Sequence, residues 1–453
     1  MTTSGNPGSK PALTEAQRLL RRLRVDQPVG PDDPIRVDLA SVRGGSAARS
    51  LANTILNAEP EYPTHQLLTG FPGAGKTSEL LLLVRELEQG GKKAVYLDLD
   101  SFVSRTTVPE PADVFLAIGA ALYDEKLGAG IFEEIAQRVR AFLYTKLRVA
   151  EVNLGGKVEG AAAGVPAEAT VGLKLAVEAY PNRLAEIRQE VETRQDVSIG
   201  AVVQQMLRSL SERHGAGNVV LVVDSLEHAA TLSAEPAKDV ERLRNTFIAD
   251  PTLRGCPVHM VYTVPPVLLP FTASAGDEYD NDLVMVPSVS LVNPDGEEDE
   301  AGVAAMVKLT RLRVGLELFA GGIEDARTAV RASGGHIRAL IRILRALINT
   351  RDPSSARPIA TGQLEKIIDR MASNTVRSLN QEHVDLLRGA IVRPVELTPR
   401  EQERPLLFYL YREALLLRYM NGGSLDIAHP LALRVLDREL YERRLFPHGR
   451  QGA

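Results

Sequence analysis

Cysteine is almost absent from this chain, whose one cysteine is Cys256. A single thiol excludes an internal disulfide and argues against a cysteine-based metal site, so we expect Cys256 to lie in the core. The sequence also has no apolar run near the roughly 20 residues that a membrane span needs. Its first residues are polar and broken by Pro and Gly, without the apolar core of a secretory signal. We therefore expect a cytoplasmic protein that does not contact a membrane.

Neither positive nor negative charge is in large excess. The formal net charge is −5 over 453 residues. This gives no global electrostatic reason to expect binding to nucleic acid or to an anionic membrane. Internal repeats and long low-complexity tracts are not found either. A chain of this length is enough for roughly two to four domains.

What the sequence does contain is a regular alternation of apolar runs and helical stretches between about residues 50 and 292. The runs of strand length are THQLLTG, KKAVYLDLD, NVVLVVD, VHMVYTV and DLVMVPSV. Their nearly continuous apolar character is typical of strands buried on both faces of a sheet. The pattern predicts an α/β fold with a parallel sheet.

Two further segments differ from this pattern. Residues 150–180 are Gly-rich with loose period-two alternation, and they predict an inserted β-hairpin. The hairpin would be either a surface ornament or a contact arm for a partner, a substrate or a neighbouring subunit. After residue 293 the sequence becomes helical, and Asn421-Gly422 between two apolar runs predicts a second hairpin. Helices followed by such a hairpin indicate a winged helix.

The stretch GFPGAGKT, residues 70–77, fits the pattern G-x-x-x-x-G-K-[ST]. Its glycines allow consecutive backbone N–H groups to turn inward and hold phosphate oxygens. Lys76 would reach the β- and γ-phosphates, and the Thr77 hydroxyl would ligate Mg²⁺. The helix that begins near Lys76 adds its positive N-terminal end. The predicted nucleotide-binding residues are Gly70, Gly73, Ala74, Gly75, Lys76, Thr77 and Ser78.

A carboxylate is expected at the end of a second buried strand, and NVVLVVDSLEH supplies Asp224 there. Asp224 would hold Mg²⁺. Glu227, one turn later, would face the same pocket and accept a proton from the attacking water. The alternative for Glu227 is a solvated surface charge.

Two polar residues complete the predicted site. Thr263 lies near the C-terminal end of the strand VHMVYTV, and ligands bind at such strand ends in open α/β sheets. It would position water near the γ-phosphate, or it is an ordinary strand-end hydroxyl with its own partner. Arg338 lies in the first turn of the helix that follows ASGGH, against the helix dipole, which indicates a nearby anion. Arg342 and Arg345 on that helix are expected to be solvated.

These residues resemble the AAA+ and STAND-type P-loop ATPases over roughly residues 40–350. The glycine loop is similar to the Walker A motif, and the strand ending in Asp224 is similar to Walker B. Thr263 and GGHIR fall where sensor 1 and sensor 2 stand, with Arg338 as the sensor. The resemblance implies a strand order of 5-1-4-3-2. It also implies an N-terminal arm (1–39), an ATPase core (40–292), a helical lid (293–378) and a winged-helix domain (379–453).

The sequence departs from the patterns of these two groups in three respects. Ser225 follows Asp224 where AAA+ proteins have Glu, and Glu227 instead resembles the D-x-x-[DE] pattern of STAND, NACHT and KAP-type ATPases. The arginine that STAND proteins often have after the sensor 1 threonine is missing. No clear arginine finger is visible, with Arg244 and Arg254 as guesses. Slow hydrolysis with a nucleotide-gated switch fits these departures better than fast turnover.

The leading interpretation is therefore a switch ATPase that uses ATP and Mg²⁺ and regulates a protein partner or its own association. Family-level analogy extends this to bacterial defence or signalling. The alternative is a DNA-handling ATPase of the initiator or loader type. Residues 380–453 carry eleven Lys/Arg against ten Asp/Glu, which does not favour a DNA-gripping domain. A small-molecule kinase is the third interpretation, and it lacks an evident Arg-rich lid.

Overall fold

The fold is described from a computed structural model that covers residues 14–25, 27–100, 108–124, 199–229, 236–294, 296–351, 357–392 and 404–438. The predicted hairpin at residues 150–180 lies outside these ranges. The domain boundaries given above stay a prediction.

A parallel sheet of five strands forms the centre of the α/β part, in the order β2-β3-β4-β1-β5. The predicted order 5-1-4-3-2 is confirmed. The strands are β1 His65–Gly70, β2 Lys93–Asp98, β3 Val219–Asp224, β4 His259–Thr263 and β5 Val284–Val286. The two central strands β3 and β4 are buried along their whole length, as their unbroken apolar sequence predicts.

Helix α1 Glu15–Arg22 packs against helices that follow the sheet in the chain. The helices that accompany the sheet are α2 Ala47–Leu56, α3 Lys76–Gln89, α4 Pro111–Asp124, α5 Ile199–His214, α6 Pro236–Arg244 and α7 Thr272–Gly276. Helix α2 packs against α3, and α4 packs against α5. Leu80, Leu83 and Leu87 hold α3 in the core through one buried stripe. This packing fixes the start of α3, where the glycine loop ends.

In the described part of the chain, four helices lie within the range predicted as a lid, and we call them the lid helices: α8 Glu300–Val314, α9 Ile323–Ser333, α10 Ile337–Thr350 and α11 Thr361–Val376. The C-terminal part contains α12 Gln381–Val392, α13 Arg404–Arg412, β6 Leu416–Tyr419, β7 Leu425–Ala428 and α14 Pro430–Leu436. Strands β6 and β7 pair antiparallel, which confirms the hairpin predicted at Asn421-Gly422. This combination of helices and one hairpin has the architecture of a winged helix.

The N-terminal segment connects the lid to the glycine loop's helix. Arg313 of α8 donates to the carbonyl oxygen of Arg22 at the end of α1. Further along the segment, Arg36 donates to the carbonyl oxygen of Ser78 at 3.2 Å and lies 3.6 Å from the Glu79 carboxylate, both on α3. The N-terminal segment thus contacts both lid helix α8 and helix α3, which begins at the end of the glycine loop. Within the described ranges, no helix has the length and apolar character that crossing a membrane requires.

Candidate nucleotide-binding site

The loop between β1 and α3 owes its shape to glycine. Gly73 has φ 90° and Gly75 has φ 101°, the left-handed region that other L-residues rarely adopt. Gly75 is also the N-cap of α3, so the backbone reverses there immediately before Lys76. The loop glycines that the motif predicts therefore occupy positions that need them.

Gly73 has a second reason to lack a side chain. An added Cβ at this position would lie 2.4 Å from Cβ and 2.5 Å from Nε of Arg338. The predicted sensor arginine thus lies directly on the glycine loop, although it belongs to lid helix α10. The sequence predicts that the loop glycines let the backbone hold phosphate, and it does not predict that Arg338 lies against Gly73.

Lys76 lies inside the loop and is 5% exposed. Its Nζ donates to the carbonyl oxygens of Gly70 and Phe71 at 3.0 and 3.3 Å. It also lies 3.0 Å from Oε1 of Glu227. The structure therefore brings Lys76 and Glu227 together in one pocket, and the Glu227 carboxylate is not a solvated surface charge.

Asp224 ends β3 and is 1% exposed. Its Oδ2 accepts from the Thr77 hydroxyl at 2.8 Å and from the Tyr96 hydroxyl at 2.8 Å. Burial raises the pKa of Asp224, helped by the negative charge of Glu227 and opposed by these hydrogen bonds. A hydroxyl and a carboxylate oxygen in contact are suitable ligands for Mg²⁺, so Thr77 and Asp224 fit the predicted ion.

Tyr96 was not found from the sequence. It lies on the neighbouring strand β2, and the signal that could have found it is its place in register beside β3. Burial and the adjacent Asp224 carboxylate raise its pKa above the usual value. Tyr96 therefore stays a hydrogen-bond donor that orients Asp224 from the side.

Ser225, the residue that departs from the AAA+ pattern, adopts φ 72°. Its hydroxyl donates to Oδ1 of Asp98 at 2.7 Å, and its backbone N–H donates to Oδ1 of Asp224 at 2.8 Å. This left-handed turn leads into a short 3-10 helix, Leu226–Ala229. The turn directs Glu227, rather than residue 225, toward Lys76.

Thr263 holds the same turn from the next strand. Its hydroxyl oxygen accepts from the backbone N–H of Leu226 at 3.1 Å, and Thr263 is fully buried. Its place at the sheet edge is the one expected for sensor 1. The hydroxyl contacts the turn, however, and its role toward water stays a prediction.

The lid contacts the loop through His336, the N-cap of α10. Its Nε2 donates to the carbonyl oxygen of Pro72 at 3.0 Å, which assigns the neutral Nε2–H tautomer. Burial, assisted by the nearby positive charges of Arg338, Lys76 and Arg43, lowers the pKa of His336 to about 3. A neutral histidine therefore links the lid to the loop by a hydrogen bond.

The C-terminal part also contacts the loop directly. The rings of Phe71 and Tyr411 have centroids 5.5 Å apart, and both side chains are buried. Tyr419 on β6 donates to the carbonyl oxygen of Gly334 at 2.9 Å, just before the lid helix that carries Arg338. Lid, loop and winged-helix part therefore meet at one place.

Two other residues beside the loop differ from the sequence analysis. Arg43 was missed: it is buried and donates to the carbonyl oxygen of Ala74 at 2.6 Å, and burial lowers its pKa to about 10. No spacing or motif marks it in the sequence. Ser78 was predicted to bind nucleotide, and its hydroxyl accepts from the backbone N–H of Val29 in the N-terminal segment at 3.1 Å.

The guessed arginine fingers are both engaged within the chain. Arg254 pairs with Glu278 at 2.5 Å and lies over the Tyr279 ring. Arg244 pairs with Glu241 at 2.9 Å. Neither lies in the pocket that Lys76 and Glu227 form.

Comparison with known proteins places this fold among distant structures. No family model matches the chain, and no curated protein does. Solved structures similar to it include the Walker-type ATPase PABY2304 of Pyrococcus abyssi, at 14% identity over 92% of this chain and 99% of that chain with TM-score 0.46. Cdc6p of Pyrobaculum aerophilum matches at 14% over 92% and 100%, with TM-score 0.36. The ORC2 protein of Aeropyrum pernix matches at 10% over 94% and 97%, with TM-score 0.42. The description of this chain as a P-loop NTPase fold accordingly stands on its own strand order and glycine loop.

Proposed function

We propose that this protein is an ATP-binding P-loop ATPase that works as a nucleotide-gated switch with slow hydrolysis. The observation that carries the proposal is the pocket at the ends of β1 and β3. It contains the Lys76–Glu227 ion pair at 3.0 Å and the Thr77–Asp224 hydrogen bond at 2.8 Å. ATP hydrolysis requires a cation that binds the phosphates, ligands that hold Mg²⁺ and a carboxylate that accepts a proton from the attacking water.

In this proposal the ion pair of Lys76 with Glu227 is exchanged when nucleotide binds. Lys76 turns from Glu227 and the loop carbonyls to the β- and γ-phosphates. Glu227 is then available to accept a proton from water. Mg²⁺, held by Thr77 and Asp224, would neutralise charge on the phosphates. Tyr96 keeps the Asp224 carboxylate in place through its hydrogen bond.

The switch would act through contacts that the loop makes with other parts of the chain. Arg338 lies on Gly73, His336 bonds to Pro72, and Phe71 packs on Tyr411. Phosphate in the loop would attract the guanidinium of Arg338, which lies beside Gly73, so nucleotide binding changes the position of α10. Because α10 follows the Gly334 carbonyl that Tyr419 holds, the change extends to the winged-helix part.

ATP binding and hydrolysis by three full-length variants test the proposal. Lys76→Ala should weaken ATP affinity by at least about tenfold. Glu227→Gln should retain binding and slow hydrolysis on the order of 10² or more, since an amide does not accept the proton. Lys308→Ala, an exposed lysine on α8, is the matched control and should behave as the parent does. Parent-like ATP affinity in a folded Lys76→Ala protein would overturn the proposal.

A DNA-handling ATPase of the initiator or loader type is the second candidate. The winged-helix architecture around the β6–β7 hairpin favours it, because such domains commonly bind DNA. Its test is binding of a short DNA duplex with and without ATP at several salt concentrations. ATP-dependent binding that weakens steeply with salt would favour this candidate over a protein partner. The STAND-type assignment, self-association and a role in defence or signalling stay predictions from the sequence.

A further inference from the structure

A cleft of about 170 Å³ lies where the glycine loop, the lid and the winged-helix part meet. Pro72 lines it from the loop, and helices α10 and α11 line it from the lid. The start of α14 and the end of α13 close the opposite side. The cleft is next to the nucleotide pocket. The two share Arg338, and the other side chains that line the cleft are not part of the nucleotide pocket.

Three arginines line this cleft, against one carboxylate. Arg338 and Arg342 come from α10, and Arg412 comes from α13. The carboxylate is Glu413, whose Oε1 accepts from Nε of its neighbour Arg412 at 3.0 Å. Because Arg412 and Glu413 are 44% and 42% exposed, their ion pair contributes little and opens easily.

The charges on α10 are only partly compensated inside the fold, because Glu227 attracts Arg338 while Arg342 repels it. Arg338 and Arg342 are one turn apart on the same side, and like charges at this spacing destabilise a helix by about 0.2–0.5 kcal/mol. Arg338 also stands in the first turn, where the helix dipole disfavours a cation. In the part of the chain that the structure describes, neither forms a hydrogen bond or a close ion pair. An anion in the cleft would relieve both costs.

The remaining walls supply no acid. His336 and His429 line the cleft, and burial lowers the pKa of each to about 3. Both rings are therefore neutral at pH 7. The hydroxyl of Thr375 is already bonded to the carbonyl oxygen of Met371 at 2.8 Å. The cleft thus keeps a net positive charge, concentrated on guanidinium groups.

Guanidinium groups select oxyanions with several oxygens in a plane, through paired N–H···O bonds. Three of them around one cleft suit a ligand with several negative charges, which a chain of phosphates has and a single carboxylate lacks. We propose that the cleft defined by Arg338, Arg342 and Arg412 binds an oligophosphate anion, either free or as a nucleic-acid backbone, and that this anion joins the lid to the winged-helix part.

The test measures binding of inorganic tripolyphosphate to full-length protein in the Lys76→Ala background, which weakens phosphate binding in the glycine loop. Adding Arg342→Ala and Arg412→Ala should weaken tripolyphosphate affinity by at least about tenfold. Arg311→Ala removes an exposed arginine of α8 away from the cleft and should change nothing. Thermal unfolding of each variant checks that it is folded, and Arg412→Glu provides a second variant with a stronger electrostatic effect.

A parallel titration with a short DNA duplex separates the two sources of phosphate. Loss of tripolyphosphate binding in the Arg342/Arg412 variant identifies a free anion site. Loss of DNA binding alone in that variant identifies the backbone as the ligand. If neither ligand binds, or if Arg311→Ala reduces binding as much as the cleft variants do, the proposal is overturned. Failure here leaves the ATPase proposal intact, because that proposal is tested at Lys76 and Glu227.

Discussion

Nζ of Lys76 and Oε1 of Glu227 lie 3.0 Å apart, with only 5% and 7% of their side chains exposed. One residue comes from the glycine loop and the other from the turn after β3. Removing one member of a buried ion pair leaves an uncompensated charge, which costs more than removing both. The pair therefore links the stability of the protein to the same residues that we propose for catalysis.

Lys76→Met should lower the free energy of unfolding by about 3 kcal/mol, because it leaves the Glu227 carboxylate buried without its cation. Glu227→Gln in the Lys76→Met background should restore part of that loss. Urea unfolding of the parent, both single variants and the double variant gives the coupling energy between the two positions. Strictly additive effects would show that the two side chains do not interact in solution.

The sequence predicts those parts of the site that depend on patterns among residues close together in the chain. Strand periodicity places Asp224 and Thr263 at strand ends, and the loop motif places Lys76 and Thr77. These features are local, because period and spacing are set by residues that are near in the chain. The strand order is implied by the resemblance to known P-loop ATPases, and the spacing of Glu227 after Asp224 places it toward the same pocket.

Contacts between distant segments could not be predicted in the same way. Arg43 on the Ala74 carbonyl, Tyr96 on Asp224 and Arg338 on Gly73 join segments whose approach depends on tertiary packing. No spacing in the sequence encodes such approaches. The helix dipole and the resemblance of GGHIR to sensor 2 both indicate an anion near Arg338, but neither predicts its contact with Gly73.

Thr263 is predicted to stabilise the turn after β3. Thr263→Val should cost about 1–3 kcal/mol of unfolding free energy, since the buried N–H of Leu226 loses its acceptor. Thr263→Ser keeps the hydroxyl and should recover most of the loss. Chemical denaturation of the two variants measures this. If Thr263→Val were as stable as the parent, the turn would not need the hydroxyl. The predicted sensor role would then be the remaining function of the Thr263 hydroxyl.

Stability should fall on acidification because of two histidines between the loop and the winged-helix part. Burial lowers the pKa of His336 and of His429 to about 3 from an ordinary value of 6.5. A histidine with a lowered pKa contributes stability above the pKa of the unfolded chain. That contribution is lost as pH falls from about 6.5 toward 3, because the unfolded chain takes up the proton first.

Each of the two should contribute a slope of roughly 1 kcal/mol per pH unit in that window. The positive charges of Arg338, Lys76, Arg43 and Arg342 face these rings and oppose protonation further. A protein with both His336→Gln and His429→Gln should show a flatter loss of unfolding free energy between pH 6.5 and 4.5. His214→Gln, at the exposed end of α5, is the control. If unfolding free energy changed with pH at the same slope in the parent, the double histidine variant and His214→Gln, the two histidines would not be the source of the pH dependence.

Arg338 separates a nucleotide-gated switch from a passive binder. If its guanidinium contacts the γ-phosphate, it favours ATP over ADP, since charge-assisted hydrogen bonds contribute about 1.5–3 kcal/mol. Arg338→Ala should therefore weaken ATP binding more than ADP binding, by roughly tenfold or more. Arg311→Ala, on another lid helix, should leave the ratio of the two affinities as it is in the parent.

The same variant should also blunt any ATP-dependent movement of α10. A ligand shifts a conformational equilibrium only by its difference in affinity for the two states, and Arg338 is the lid residue that lies on the loop at Gly73. Limited proteolysis with ATP, with ADP and without nucleotide measures this movement in parent, Arg338→Ala and Arg311→Ala. The parent and Arg311→Ala should give an ATP-specific pattern, and Arg338→Ala should give the ADP pattern with either nucleotide. If Arg338→Ala keeps both the parent's affinity ratio and its ATP-specific pattern, then the lid does not detect the γ-phosphate through this arginine, and the contact with Gly73 serves packing alone.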